Sequence, residues 1–228
     1  MKIFHPGEID SAFFRFCAQR KPDVICDVGT RDCHDAIRMK QASPSSMVFA
    51  FEANPENYFE YCLLPNVVAF GIQVQHIAVS DTTGSAVLRV PTYASRKQGG
   101  SVQQRGISSL LARTETCDST DYVVPQTRLD SFFAGLTGFQ SDKTFAFWID
   151  VEGLAYQVLS GMKEIIDKTV AIKVEVEEKE YFSGQHRAQD VINMMTDIGW
   201  PPVACGDPTP GQYDILFIRE NYLDGVLP

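Results

Sequence analysis

Acidic residues stand at the ends of four strand-like apolar runs, and their placement describes a binding cleft. Val24–Asp27 runs into Gly29, Met47–Phe51 into Glu52, Val74–Val79 into Ser80-Asp81, and Phe145–Ile149 into Asp150-Val151-Glu152-Gly153. In an open parallel sheet, ligands bind beyond the carboxyl ends of the strands. Carboxylates placed there accept hydrogen bonds from ribose hydroxyls, an amino group or an adenine amine. Asp150 and Glu152 alternate along the chain and so point to one side. Two close carboxylates push each other's pKa apart, which suits acid–base work. The pattern predicts a nucleoside-containing ligand before it predicts a reaction.

Each candidate has its own reason. Asp27-Val28-Gly29-Thr30 follows the first run, and Gly29 lets the backbone turn sharply and approach a ligand. The segment is not G-x-G-x-x-G, which counts against a pyrophosphate site and a nicotinamide-dependent oxidoreductase. A cofactor without a phosphate does not need that fingerprint. Glu52 lies where an acid roughly 20 residues beyond the first loop meets a ribose. Of Glu175, Glu177 and Glu178 after the fifth strand, Glu175 is placed to reach the cleft. The scattered histidines His5, His34, His76 and His186 read as structural or exposed, His34 lying nearest the first loop.

The elements that must position these residues alternate. Helices are expected over Ile9–Arg20, Cys33–Gln41, Glu56–Leu64, Leu129–Leu136, Ala155–Ile166 and Arg187–Ile198. Between them lie strands at Val24–Val28, Met47–Phe51, Val74–Val79, Phe145–Ile149, Val170–Val176 and Tyr213–Arg219, with β character also at Ser85–Val90 and Tyr122–Val124. Such alternation argues a doubly wound α/β sheet in one domain spanning residues 1–228. The stretch Pro91–Ser109 lacks apolar periodicity, exceeds ordinary loop length and carries Arg96, Lys97 and Arg105 without an acid. It reads as a candidate lid over residues 91–109, mobile when empty.

Composition narrows the partners. A net charge of −9, from 29 acids against 20 bases, repels phosphate backbones and excludes nucleic acid as the default partner. No apolar run approaches the roughly 20 residues of a membrane span. The opening Met1–Glu8 breaks off too early for a signal-peptide core. The six cysteines include no C-x-x-C pair, which predicts reduced thiols, no metal site and a cytoplasmic setting.

With these residues in place, the chain resembles the FkbM family of S-adenosylmethionine-dependent methyltransferases. Val24-Ile25-Cys26-Asp27-Val28-Gly29 is similar to the family's first-strand motif, and Phe51-Glu52-Ala53-Asn54-Pro55 to its F-E-P-x-P segment. Ala78-Val79-Ser80-Asp81 with Gly84 resembles A-V-S-D-x-x-G, and Thr127-Arg128-Leu129-Asp130-Ser131-Phe132 resembles T-L-D-x-F. Ile149-Asp150-Val151-Glu152-Gly153, followed by Val158-Leu159-Ser160-Gly161, is similar to I-D-V-E-G…V-L-x-G. Thr30-Arg31-Asp32-Cys33 stands where the family has A-N-x-G, Ala53 where it has proline, and Trp148 where it has lysine.

The resemblance implies a Rossmann-like class I methyltransferase: a seven-stranded, mostly parallel sheet whose last strand runs antiparallel. It implies S-adenosylmethionine as cofactor, held by Asp27, Gly29, Thr30, Glu52, Ala53, Ser80, Asp81 and Asp150. In that frame Gly29 and its neighbours meet the methionine end, Glu52 the ribose and Ser80-Asp81 the adenine. Asp150 faces the methyl-transfer site, and Asp150 and Glu152 are the expected catalytic residues. The implied reaction is O-methylation of a small-molecule, sugar or polyketide-like hydroxyl. The alternative is a regulatory module that binds the nucleoside without catalysis.

Overall fold

Parallel strands covered on both faces must be apolar at nearly every position. Val24–Val28 and Phe145–Ile149 meet that demand, with every residue buried, including Asp27. The computed structural model of the chain describes residues 2–5, 7–94, 101–136 and 142–223. In chain order its first elements are β1 (Lys2–Ile3), α1 (Glu8–Arg20), β2 (Val24–Val28), α2 (His34–Ala42), β3 (Met47–Glu52) and α3 (Pro55–Asn57). A π-helical turn over Tyr58–Cys62 continues α3 into α4 (Pro65–Ala69). Then follow β4 (Gln73–His76), β5 (Ala78–Val79), β6 (Gly84–Ala94), β7 (Ser101–Gln103), β8 (Asp118–Thr127) and α5 (Leu129–Gly135). The chain closes with β9 (Phe145–Ile149), α6 (Ala155–Ser160), β10 (Thr169–Glu177), α7 (Ala188–Asp197), β11 (Pro202–Cys205) and β12 (Gln212–Ile218).

The main sheet has the order β1-β11-β12-β10-β9-β2-β3-β4. β4, β3, β2, β9 and β10 are parallel neighbours, and β12 runs antiparallel to both β10 and β11. This is the expected seven-stranded class I methyltransferase arrangement, with the two-residue β1 added to its edge beside β11. One face packs α1 and α2 against Ile25, Ala50, Ala146, Trp148 and Leu216. The other packs α5, α6 and α7 against Cys26, Phe49, Phe147, Ile172 and Phe217. The strand order reverses direction between β2 and β9, so the loops after them flank a crevice.

Three expectations change. Val74–Val79 is not one strand: Gln73–His76 joins the main sheet, whereas Ala78–Val79 turns away and pairs with β8. The helix expected over Ala155–Ile166 stops at Ser160, ahead of Gly161. An added Cβ at Gly161 would lie 2.4 Å from the Ser80 carbonyl oxygen, so the chain must pass there without a side chain. Pro91–Ser109 is not irregular throughout. β6 extends through Ala94, pairs with β7, and is followed by a 3-10 turn over Arg105–Ile107. Residues 95–100, with Arg96 and Lys97, lie outside the described residues. The four-stranded sheet β5-β8-β6-β7 is thus an insertion between β4 and α5, and it leans over the strand ends.

Candidate functional site

The carboxyl ends of β2, β3 and β9 open into a cleft. Gly29, Arg31, Glu52, Ala53, Asp150 and Glu152 line its strand-end side, and Leu88 and Ser108–Leu110 of the insertion line the opposite side. Phe51, Ile77, Ala78 and Val79 supply apolar walls between them.

Gly29 sets the depth of the cleft. Its φ of +89° is a left-handed conformation, and an added Cβ would lie 1.9 Å from the Asp150 carbonyl oxygen. The Asp150 amide in turn donates to the Val28 carbonyl at 2.9 Å, so the β2 and β9 loops lock together. Gly29→Ala is expected to lower stability by about 2–5 kcal/mol, from backbone strain and overpacking together. A thermal melt checks this, and an unchanged melting temperature would mean that the loops do not interlock.

Asp27 and Thr30 do not line the cleft. Asp27 is buried beneath it, where its carboxylate accepts from the Thr30 hydroxyl and the Ala36 amide and so ties the first loop to α2. The loop itself carries Arg31 at φ +56° and Cys33 at φ +60°. Cys33 therefore takes up the left-handed conformation that favours glycine, the residue the family has there. Ser80 and Asp81 also stand off the lining. The Ser80 hydroxyl is held by the Gln126 amide, and Asp81 is exposed. The neighbouring Val79 takes the cleft-facing position.

Glu52 is the most strongly engaged acid in the cleft. It is buried, and its carboxylate accepts from the Arg31 amide at 2.8 Å, the Asn54 amide at 2.7 Å and the Asn57 side chain at 3.4 Å. Burial outweighs these bonds and pushes its pKa up to about 7. A carboxylate has about four acceptor positions, so Glu52 keeps acceptor capacity toward the cleft. The buried Asn57 Oδ1 beside it has no partner among the described residues. Two acceptors in want of donors, set against apolar walls, suit the hydroxyls and flat base of a nucleoside.

At the opposite end, one carboxylate oxygen from each of Asp150, Glu152 and Glu175 falls within 4.8 Å of the others. Burial, then Asp150, lifts Glu152 to about 8, and the same causes lift Glu175 to about 10. Glu177 sits behind them, accepting from the Gly153 amide at 3.1 Å, and burial raises it to about 7. Asp27 is raised to about 8, again chiefly by burial. Each of these folded-state values lies above the unfolded value of roughly 4. Between the two the native state binds more protons than the unfolded chain, so stability is full at low pH and falls as pH rises. The cofactor-free protein is expected to show a higher urea midpoint at pH 5.5 than at pH 8.5. Equal midpoints would mean that these carboxyls ionise in the folded protein without cost, and the reverse order that folding favours their charged form.

Beneath Asp150, Trp148 faces Lys173, its register partner on β10. The Lys173 ammonium lies 3.5 Å from the centroid of the indole ring and pairs with Asp214 at 2.8 Å and Asp10 at 3.2 Å. Burial pulls Lys173 down, but its acidic neighbours leave its pKa raised overall. A cation therefore reaches this layer from β10, beside Trp148. Sequence reasoning passed over Lys173, although a lysine inside a strand buried on both faces is itself a sign of carboxylates nearby. It also missed Asn57, Leu88 and Ser108–Leu110, which no local motif marks.

Comparison with known proteins agrees with this geometry. The model of the Methyltransferase FkbM domain matches residues 27–201. The 2-O-methyltransferase NoeI of Sinorhizobium fredii (strain NBRC 101917 / NGR234) is 26% identical over 185 residues, covering 77% of this chain and 72% of that one. The structure of WbdD with the kinase inhibitor LY294002 shares the fold, with a TM-score of 0.50 at 10% identity over 92% of this chain. This chain spans 39% of the WbdD chain, so that likeness speaks to the fold alone. Among the described residues no helix is long and apolar enough to cross a membrane. The match over residues 27–201, most of the chain, places the protein in the FkbM family, as an S-adenosylmethionine-dependent methyltransferase.

Proposed function

We propose that the protein methylates a hydroxyl oxygen of a sugar or a similar polyhydroxylated small molecule, with Asp150 facing the acceptor. The observation that carries this reading is the separation of two acidic stations across one cleft. Glu52 ends β3, and Asp150 and Glu152 follow β9 with β2 between them, Glu175 lying close by. Several hydrogen-bond acceptors in one place suit a ligand rich in hydroxyls. The name of the relative NoeI, a 2-O-methyltransferase, supports oxygen as the atom methylated.

Bound S-adenosylmethionine supplies an electrophilic methyl group on a positively charged sulfur. Glu52 and Asn57 would hold the nucleoside hydroxyls, and Ile77, Val79, Leu88 and Leu110 would flank the base. Placing Glu52 away from the sulfur matters, because that positive charge fades in the transition state. A carboxylate against it would favour the ground state. Asp150 orients the acceptor hydroxyl and takes its proton as the new bond forms, since an alcohol is too weak an acid to ionise beforehand. The remaining task is alignment, with oxygen and methyl held about 3–3.5 Å apart. Saturation-transfer NMR on the S-adenosylhomocysteine complex tests the acceptor class. Monosaccharides are expected to receive saturation, and silence across hexoses, deoxyhexoses and aminosugars would remove sugars from the reading.

Segment 91–109 acts in this account as the lid. Arg105 pairs with Glu60 at 2.6 Å and Glu56 at 3.7 Å and donates to the Tyr61 hydroxyl at 3.0 Å, so its charge is engaged by the protein itself. Asn54 donates to the Ser108 hydroxyl at 3.2 Å, and the Ser109 hydroxyl donates to the Glu152 carbonyl at 2.7 Å. These contacts fasten the segment to both sides of the cleft. Arg105→Ala is expected to speed S-adenosylhomocysteine release severalfold in stopped-flow measurements, as is high salt in the wild type. An unchanged release rate would make the segment a fixed wall. The cysteines Cys17, Cys26, Cys33, Cys62, Cys117 and Cys205 are all free thiols, which supports a reducing, cytoplasmic setting.

A further inference from the structure

Asp150 does not stand alone at the acceptor end. Glu175 follows Lys173 on β10 and points to the same side of the sheet, and Asp214 on β12 is its register partner. The groups facing Glu175 are Asp150 and Glu152 from the β9 end, Asp214 and Gln212 from β12, and Lys173 from its own strand. Lys173 is already committed to Asp10 and Asp214. Gln212 Nε2 donates to Glu175 Oε1 at 2.7 Å, which fixes that oxygen as an acceptor. One oxygen of the Glu175 carboxyl lies within 4.8 Å of an oxygen of Asp150 and of one of Glu152.

Buried carboxyl groups gathered this closely cannot all be ionised at low cost, so one of them holds a proton. The environment decides which one carries it. Glu175 is walled by three other carboxyls, and its one fixed donor, Gln212, satisfies a neutral carboxyl as well as a charged one. The pKa of Glu175, raised to about 10 by burial and then by Asp150, agrees with that assignment.

We propose that Glu175, as a neutral acid, is the positioning residue of Asp150: its O–H donates to one Asp150 oxygen and turns the other toward the acceptor hydroxyl. The idea rests on the reading of Asp150 as the acceptor-side group. Glu175 keeps its proton throughout. The proton leaving the acceptor hydroxyl goes to the Asp150 oxygen that Glu175 does not hold. The arrangement fixes a side chain whose terminal torsion is otherwise broad.

Infrared spectroscopy of the purified, metal-free protein at pH 9 tests this without any acceptor. By then Asp27, Glu52, Glu152 and Glu177, raised to about 7 to 8, are mostly ionised. The wild type is expected to keep a protonated-carboxyl stretch that Glu175→Gln removes and Glu52→Gln leaves. Asp150→Asn should shift that band, since the donor loses its charged acceptor. Absence of the band at pH 9, its survival in Glu175→Gln, or no shift in Asp150→Asn would each overturn the proposal. So would loss of the band when millimolar magnesium is added, which would make the three carboxylates a cation site. A band that behaves as expected, in a protein that methylates no hydroxyl, would leave the carboxyl pair standing and sink the functional reading instead.

Discussion

Glu52→Ala is expected to weaken S-adenosylhomocysteine binding by about tenfold to a hundredfold and to leave the fold intact. The range follows from charge-assisted hydrogen bonds between a carboxylate and ribose hydroxyls, worth roughly 1.5–3 kcal/mol. Glutamine is no milder a replacement. Both Glu52 oxygens accept from N–H donors, at Arg31 and at Asn54, so an amide nitrogen would face one of them. The raised pKa of about 7 adds a signature. Hydroxyl donors favour the ionised form, so affinity should fall as pH drops below about 7, and Glu52→Ala should flatten that slope. Calorimetric titration at pH 6 and pH 8 measures both effects. An unchanged dissociation constant in the mutant would remove Glu52 from the nucleoside site.

Asp150→Asn is expected to do the opposite, leaving cofactor affinity nearly intact while cutting turnover by about 10²–10⁴-fold, the usual contribution of a general base. A purely orienting group would cost less. The asparagine preserves size and leaves the backbone bond to Val28 in place. It loses the charge that attracts the acceptor proton, and the full acceptor capacity of a carboxylate. If cofactor binding fails with no separate effect on turnover, Asp150 belongs to the cofactor shell. Glu152, buried and raised to about 8, then becomes the better candidate for the chemistry. If neither changes, the acidic pair serves only to hold the strand end.

What could be read from the chain follows from how each element is buried. β2, β3 and β9 are covered on both faces, so they read as nearly continuous apolar runs, and an acid at the end of such a run marks the sheet's ligand edge. Gly29, Glu52, Ala53, Asp150 and Glu152 all line the cleft for that reason. The insertion was harder to see. β8 is mostly exposed on one side, and Asp118–Thr127 carries polar residues at most positions, so only Tyr122–Val124 looked like a strand. β1 and β5 are two residues each, too short to leave a period. The break between β4 and β5 was hidden because no glycine, proline or other turn residue interrupts Val74–Val79. Asp27, Thr30, Ser80 and Asp81 share the strand ends but not the cleft. Position along the chain does not say whether a side chain ends above the sheet or is taken up by a neighbour such as Ala36 or Gln126.

The central claim, methyl transfer to a hydroxyl from a cofactor held at Glu52 with Asp150 at the acceptor, is tested most directly by one assay. The protein is incubated with S-adenosylmethionine carrying an isotopically labelled methyl group and a panel of sugars and other polyhydroxylated small molecules. Label is followed into product for the wild type and for Asp150→Asn. The account predicts label on an acceptor oxygen with the wild type, and its near loss in the mutant at equal cofactor occupancy. Cofactor binding with no label on any hydroxyl, or equal labelling by both proteins, would contradict it.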